Sequence, residues 1–512
     1  MQPCKNRWTA LILAMLPALV EYAAIAAEPV QVTVTLVEQA AAKVSPERPI
    51  TGRLYVFMSQ REVGEPRFGP DWFSPEPFFG LDVHEFAPGQ TRAIDDTADG
   101  FPGLLSLLPK GTYRVQALLD HQLETCHHAA GVGNLYSDVV SWEFDPDSPA
   151  PLELKLEHAV APRPFADSEW VKEVVVTSKL LSKFHGREVV ERAAVVLPAS
   201  YARQPDRRYP VLFSIPGFGG DHRIGLRFAD GGPPEPQEGE VEFIRVMLSG
   251  DCEWGHHVYA NSATNGPRGE ALVNELIPRI DADFRTVAEP RARFLTGHSS
   301  GGWSSLWLQV TYPDTFGGVW STSPDPVDFR DWQQVDLYAE PPLSLYVDEQ
   351  GQRRPIARRG TMPVLWYGSF GKMDDVIGHG GQLRSFEAVF SPLDGDGRPR
   401  RLWDRQSGRV DPEVAKAWQR YDIRLVLERN WPTLGPKLVG KLHVMTGSID
   451  TFYLEGAVRK LAEAMAALGS DAEVTVVEGK DHSNLLTPEL VGQIRRQMSE
   501  AFLKEHPGID EG

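Results

Sequence analysis

The pentapeptide Gly297-His298-Ser299-Ser300-Gly301 has the form G-x-S-x-G. It follows an apolar run, Ala292 to Thr296, that reads as a buried strand. A helix-compatible run through Gly302, Trp303, Leu306, Trp307 and Val310 comes after it. A serine on so tight a strand-to-helix turn is presented as a nucleophile, and its neighbours must be small because backbones approach closely there. Gly297 and Gly301 meet that need. A serine hydroxyl is a weak nucleophile at neutral pH, so it needs a base, and the base needs a group to orient it. His482, in Gly479-Lys480-Asp481-His482-Ser483, follows the run Val474 to Val477 and is the expected base. Asp450, in Gly447-Ser448-Ile449-Asp450, follows the run Leu442 to Thr446 and is the expected acid, in the chain order Ser, acid, His. Its rivals are Asp325, Asp328, Asp374 and Asp375. Asp481 adjoins His482 and is badly placed to bond its ring. His443 falls inside a strand and is read as structural.

The same chemistry needs two backbone N–H groups aimed at the carbonyl oxygen as charge develops. Ser300, next to the nucleophile, supplies one. The other is expected from Pro216-Gly217-Phe218-Gly219-Gly220-Asp221, after the apolar run Val211 to Ile215, with Phe218 as donor and Gly217 as the alternative. The loop Asp251 to Gly266 is expected to form pocket wall. It carries Trp254, His256, His257, Tyr259 and Asn261, and Gly217 and Trp303 join it from nearby motifs. Aromatic and amide groups together suit a sugar- or phenol-bearing substrate.

These residues require a sheet to hold them. From about Val171 the chain alternates short apolar runs with helical patterns. Val174 to Thr177, Ala193 to Leu197, Phe243 to Leu248 and Phe316 to Ser321 complete the strand series. Leu454, Val458, Leu461, Met465 and Leu468 share one helix face, and Thr487-Pro488 starts a final helix with Val491, Ile494, Met498 and Phe502 buried. Alternation of this kind predicts an α/β fold with a mainly parallel central sheet. Residues 28–160 read differently. Val30, Val32, Val34 and Leu36 alternate with polar residues, and further short strands are separated by Gly and Pro without a helical run, which predicts a β-sandwich-like domain. Residues 161–512 form the expected catalytic domain, interrupted at about 327–440 by an insertion rich in Trp, Arg, Asp, Gly and Pro. Only Asp411-Pro412 through Trp418 reads as a helix there, and the insertion suits a lid or substrate wall, or equally a packing or partner surface.

Residues 1–27 read as a signal peptide. Lys5 and Arg7 precede an apolar run from Thr9 to Val20 that is too short to span a bilayer, and Ala24-Ile25-Ala26 has a small-x-small cleavage pattern. Export to the periplasm or the cell exterior follows, with no stable membrane insertion after cleavage. A formal charge of -18, from 52 Lys+Arg against 70 Asp+Glu, argues against nucleic-acid partners. Cys126 and Cys252 are read as separate thiols. Cys126, His127 and His128 are read as a loop without a metal, because adjacent residues rarely converge on one ion. No cofactor motif is present.

From Tyr209-Pro210-Val211 through Gly220-Asp221, with Glu275-Leu276-Ile277-Pro278, Phe284-Arg285-Thr286, the Gly297–Gly302 box and Gly479–His482, the chain resembles the Putative esterase family of α/β-hydrolases. That family includes esterase D, enterochelin esterase and feruloyl-esterase-like enzymes. The resemblance covers roughly Val171 to Glu505. It implies an α/β-hydrolase fold, no metal, and hydrolysis of carboxylic esters of small-molecule or carbohydrate-linked type, through an acyl-enzyme on Ser299, His482 and Asp450. Two features depart from the family pattern: Pro216 stands where a His often precedes the oxyanion-loop glycine, and the insertion is longer than in compact members. An acyltransferase on the same triad, a peptidase, and a non-catalytic carbohydrate-binding or surface protein with a relic hydrolase fold are the alternatives.

Overall fold

The computed structural model describes residues 30–45 and 49–507; the expected signal segment lies outside them. The centre is an eight-stranded sheet. Its spatial order is Val171–Thr177, Val190–Val196, Ile244–Leu248, Val211–Ile215, Arg293–His298, Gly318–Thr322, Leu442–Gly447 and Glu473–Val477. The first two junctions are antiparallel and the other five parallel. Gly318–Thr322, in the middle of the sheet, carries only apolar or small residues and is buried at every position, because both of its faces are covered. Sequential strands run to the sheet's carboxyl edge, where Ser299, Asp450 and His482 all follow strand ends.

The strand before Ser299 runs two residues further than the apolar pattern suggests, so that Gly297 and His298 still pair with Ser321 and Thr322. The helix after it, Ser300–Thr311, is buried through Val310, and Trp303 stacks on Trp307 at 5.2 Å. The final helix, Pro488–Glu505, is capped by Thr487, whose hydroxyl accepts the Leu490 N–H at 3.3 Å, and it buries Ile494, Met498 and Phe502 against the sheet.

Residues 32–159 form two β-sheets. Val32–Leu36 pairs antiparallel with Thr91–Ile94 and parallel with Leu152–Leu156; a seven-stranded sheet is built around Ile50–Ser59, Phe78–Phe86 and Gly111–Asp120. The expectation of no helix here is corrected: Glu38–Val44 is helical and buries Ala40 and Ala41 between the layers. Strand alternation gives Ile50–Ser59 two jobs. Leu54, Val56 and Met58 enter the core between the two sheets, while Tyr55 and Phe57 enter the core shared with the central sheet and its insertion.

The insertion holds more helix than the expected Pro412–Trp418. Tyr367–Ile377, Gln382–Phe390 and Ile423–Leu438 are also helical. Internal Gly368 and Gly371, and Pro432 and Pro436, hide two of these from pattern reading. An aromatic cluster holds the insertion together: Trp418 lies 5.1 Å from Phe390 and 5.2 Å from Trp332. Phe390 on Trp303 (5.1 Å) and Tyr421 on Trp307 (5.6 Å) tie it to the helix Ser300–Thr311. At the other end, Arg53 donates from Nε and Nη2 to the Val376 carbonyl (3.0 and 2.8 Å), and Tyr55 donates to the Ile377 carbonyl (2.5 Å). The β-sheets thus cap the last turn of Tyr367–Ile377.

Candidate active site

Ser299 has φ 61° and ψ -127°, a conformation side chains rarely adopt and that only a strongly determined turn maintains. The determinants are local. Ser299 N donates to the Thr322 carbonyl (3.0 Å) and its own carbonyl accepts the Trp303 N–H (3.0 Å). A Cβ on Gly301 would strike the Ile215 and Pro216 carbonyls, and one on Gly297 would strike the Gly301 backbone. Both glycines are therefore steric requirements of the turn.

His482 Nδ1 bonds Asp450 Oδ2 at 2.9 Å. Asp450 is fully buried, and its other oxygen accepts the Phe452 N–H at 2.9 Å. Burial pushes its carboxyl upward, but the hydrogen bond and charge of His482 outweigh that, and the pKa ends below the ordinary carboxylate range. Arg358, from the insertion's Pro355–Arg359 strand, fixes the same loop through the Asp450 carbonyl (3.0 Å) and Glu455 (2.5 Å). Phe452 meets the His482 ring edge-on at 5.0 Å. Three of the four rival acids are committed elsewhere. Asp328 is bound by Arg330 and Arg424, Asp375 by Arg384 and Arg405, and Asp374 accepts the Arg384 N–H.

Asp325 is near the site in a different capacity. It accepts the Ser300 hydroxyl at 2.5 Å and faces the same cavity as Ser299 and His482; burial raises its pKa to about 6. Sequence reading weighed it only as a rival acid.

The loop after Val211–Ile215 lies against Ser299. A Cβ on Gly217 would sit 3.3 Å from both Ser299 Cβ and the His298 carbonyl. Among the described residues, neither the Phe218 nor the Ser300 N–H has a hydrogen-bond acceptor. Two histidines hold this loop. His256 Nδ1 accepts the Val258 N–H, so Nε2 is the donor to the Pro216 carbonyl at 2.9 Å. His127, from the β-sheet region, bonds the Gly219 carbonyl at 2.7 Å, and Gly219 takes the left-handed conformation (φ 73°).

The cavity at Ser299 has a volume of about 260 Å³. Its aromatic wall is Trp72, Phe218, Phe370, Phe386 and Phe452, and its polar groups besides the triad candidates are Asp325, Gln333 and Gln382. Of the expected pocket residues, only Gly217 lines it; the rest are corrected. His256, His257, Tyr259 and Trp303 are buried in the core, Asn261 bonds Glu270 and Gly269, and Trp254 packs on His379. The segment Asp251 to Gly266 folds back as two short hairpins, Asp251–Cys252 with Gly255–His256 and Asn261–Ser262 with Gly266–Pro267, which turns these side chains away from the cavity. The wall is supplied by the insertion and by Trp72, which lies 5.0 Å from Phe370, 5.8 Å from Phe218 and 6.4 Å from Phe452. No local pattern around Trp72 signals that role.

Cys126, His127 and Asp251 bring a thiol, an imidazole and a carboxylate within 4.8 Å of one another. Two of these groups are already engaged, Asp251 by the Cys126 N–H (3.0 Å) and His127 by Gly219. His128 instead bonds the Gly69 carbonyl, and burial lowers its pKa to about 4.

Residues 191–483 match the family described as "Putative esterase". Esterase MT1326 and Esterase Rv1288, from two strains of Mycobacterium tuberculosis, are each 34% identical over 140 residues, 25% of this chain and 28% of theirs. The chain thus spans little more than a quarter of these curated relatives. An S-formylglutathione hydrolase from Agrobacterium tumefaciens superposes with a TM-score of 0.39 at 14% identity, covering 65% of this chain and 95% of its own. A fluorophosphonate-binding serine hydrolase of Staphylococcus aureus gives 0.38 at 13%, covering 64% and 98%.

Proposed function

Because the chain belongs to the Putative esterase family, we propose that it hydrolyses carboxylic esters, with Ser299 as nucleophile, His482 as base and Asp450 as the acid that orients it. Ser299 Oγ attacks the ester carbonyl carbon while His482 Nε2 takes the hydroxyl proton. Asp450, bonded to Nδ1, fixes the tautomer and stabilises the imidazolium. The carbonyl oxygen becomes an oxyanion held by the Phe218 and Ser300 N–H groups. Collapse breaks the bond to the leaving alkoxide, which receives the proton from His482. Water then repeats the sequence on the acyl-enzyme, giving up a proton to His482, and releases the carboxylic acid and free Ser299.

The observation that carries the reading is the 2.9 Å His482–Asp450 bond on the cavity that also presents Ser299 in its constrained turn. The open N–H groups of Phe218 and Ser300 support the oxyanion role. The basic start and apolar run of residues 1–27 support export of the enzyme. The test is hydrolysis of p-nitrophenyl acetate by the wild type beside Ser299→Ala. The expected loss in kcat is on the order of 10⁴-fold or more, since members of such a triad act as a unit. Equal activity in the two proteins would remove Ser299 from the reaction.

A further inference from the structure

A second and larger cavity, of about 580 Å³, shares Gly217 and Phe218 with the one at Ser299. It lies between a face of the central sheet, the final helix and the proline-rich segment 233–240. Three arginines reach it from three elements. Arg227 comes from the 3-10 helix His222–Phe228, Arg245 from the strand Ile244–Leu248 and Arg495 from the helix Pro488–Glu505.

None of the three side chains forms a hydrogen bond or ion pair with any described residue; Arg227 only lies over the Phe228 ring at 4.7 Å. Arg245 and Arg495 are half-buried and Arg227 is exposed, and guanidinium groups sunk more deeply elsewhere in the molecule are paired. Arg53 meets Asp82 and Asp99, Arg405 meets Asp375 and Glu387, and Arg424 meets Asp328 and Glu428. Burial, with Arg495 and Arg227 nearby, lowers the Arg245 pKa to about 10. Two acids line the cavity. Glu242 is engaged by Arg207 and Ser200. Glu240 accepts the Gln237 N–H with one oxygen, and the other, Oε1, is buried without a partner. One uncommitted carboxylate therefore faces three cations. Glu240 offsets part of the charge on Arg245, but three cations against one carboxylate leave an excess of partly desolvated positive charge, so this cavity favours an arriving anion. The rest of the wall is largely apolar, including Leu212, Phe243, Met247, Ile494 and Met498.

We propose that this cavity binds an amphiphilic anion, its carboxylate or phosphate head held by Arg227, Arg245 and Arg495 and its hydrocarbon part lying against Leu212, Phe243, Met247, Ile494 and Met498. Planar guanidinium groups recognise either head through paired N–H donors. The protein's net charge of -18 works against capture of free inorganic ions, so the hydrocarbon part is needed for affinity. The site stands apart from the esterase reading, and binding tests it without ester turnover.

The experiment is calorimetric titration of the protein with decanoate, decyl phosphate, decanol and inorganic phosphate, below the micellar range. At least one of the two amphiphilic anions is expected to bind at least tenfold more tightly than both decanol and inorganic phosphate, and the stronger of the two identifies the head group. Arg245→Gln and, separately, Arg495→Gln each lower that affinity at least tenfold, while hydrolysis of p-nitrophenyl acetate stays within threefold. Arg495 lies on a partly exposed helix position, so its variant serves if Arg245→Gln folds poorly. Equal binding of decanol would overturn the proposal, as would equal binding of inorganic phosphate or anion affinity unchanged in both variants.

Discussion

Replacing Trp72 with alanine removes the part of the cavity wall at Ser299 that comes from the β-sheet region. The ring packs on Phe370, Phe218 and Phe452, and its remaining face borders the 260 Å³ cavity at Ser299. A tryptophan side chain buries about 150–250 Å² when fully enclosed. With roughly a third of that on the cavity side, about 50–80 Å² is available to a bound acyl group. At about 25 cal/mol per Å² this is worth about 1.2–2 kcal/mol, or roughly 10- to 30-fold in kcat/KM. The effect depends on reach: an acetyl group ends close to Ser299, whereas a benzoyl or hexanoyl group extends along the wall. The assay is kcat/KM for p-nitrophenyl acetate, hexanoate and benzoate with wild type, Trp72→Ala and Trp72→Phe. The expected pattern is a loss of 10- to 30-fold on the two larger esters, less than threefold on acetate, and substantial recovery in Trp72→Phe. Equal losses on all three esters would refute the reasoning, because Trp72 would then act by positioning Phe218 or His482 and not by contacting substrate.

Asp450→Asn keeps the hydrogen-bond geometry but favours the wrong imidazole tautomer, so kcat is expected to fall on the order of 10⁴-fold with little change in KM, measured on p-nitrophenyl acetate. Asp325→Asn tests the acid raised to about 6. Its folded pKa lies above the unfolded value, so its contribution to stability is fully present below about pH 4 and is lost as pH rises through about 6. The variant should be more stable than wild type at pH 8, by about 2–3 kcal/mol, and no more stable at pH 4, as urea unfolding at the two pH values would reveal. Above pH 6 the wild-type carboxylate also places a negative charge on the cavity shared with Ser299, so Asp325→Asn should lower kcat several-fold at pH 8 and converge with wild type below pH 6. Arg53→Ala leaves the Val376 carbonyl without its donor at the buried end of Tyr367–Ile377. Its partners Asp82 and Asp99 are more than half exposed, so their ion pairs add little, and the expected cost is about 1–3 kcal/mol in denaturant unfolding.

The strands that carry the site were legible because a largely covered sheet writes short, mostly apolar runs, as in Val211–Ile215 and Leu442–Gly447. That Ser299, Asp450 and His482 gather at one edge of the sheet was legible because each follows such a run, and the glycines beside Ser299 have a steric reason to be there. The substrate wall was not legible. Aromatic and amide side chains in Asp251 to Gly266 have the same composition whether they line a pocket or stabilise a loop. His256 illustrates the second use, spending both ring nitrogens on backbone near the Pro216 carbonyl. The actual wall needs Trp72, Phe370 and Phe386, brought together by long-range packing that no local periodicity records. The insertion helices were hidden for a related reason. Glycine and proline lower helix propensity, and tertiary contacts such as Phe390 on Trp418 decide the outcome. The arginines at 227, 245 and 495 are unremarkable in sequence, and only the fold reveals that they converge.

The most direct measurement of the central claim is intact-mass and peptide mapping of the protein after treatment with a small fluorophosphonate. One adduct per chain, carried by the peptide containing Ser299 and absent from both Ser299→Ala and His482→Ala, is the predicted result. An adduct at another serine, or no adduct on a protein that still hydrolyses esters, would contradict it.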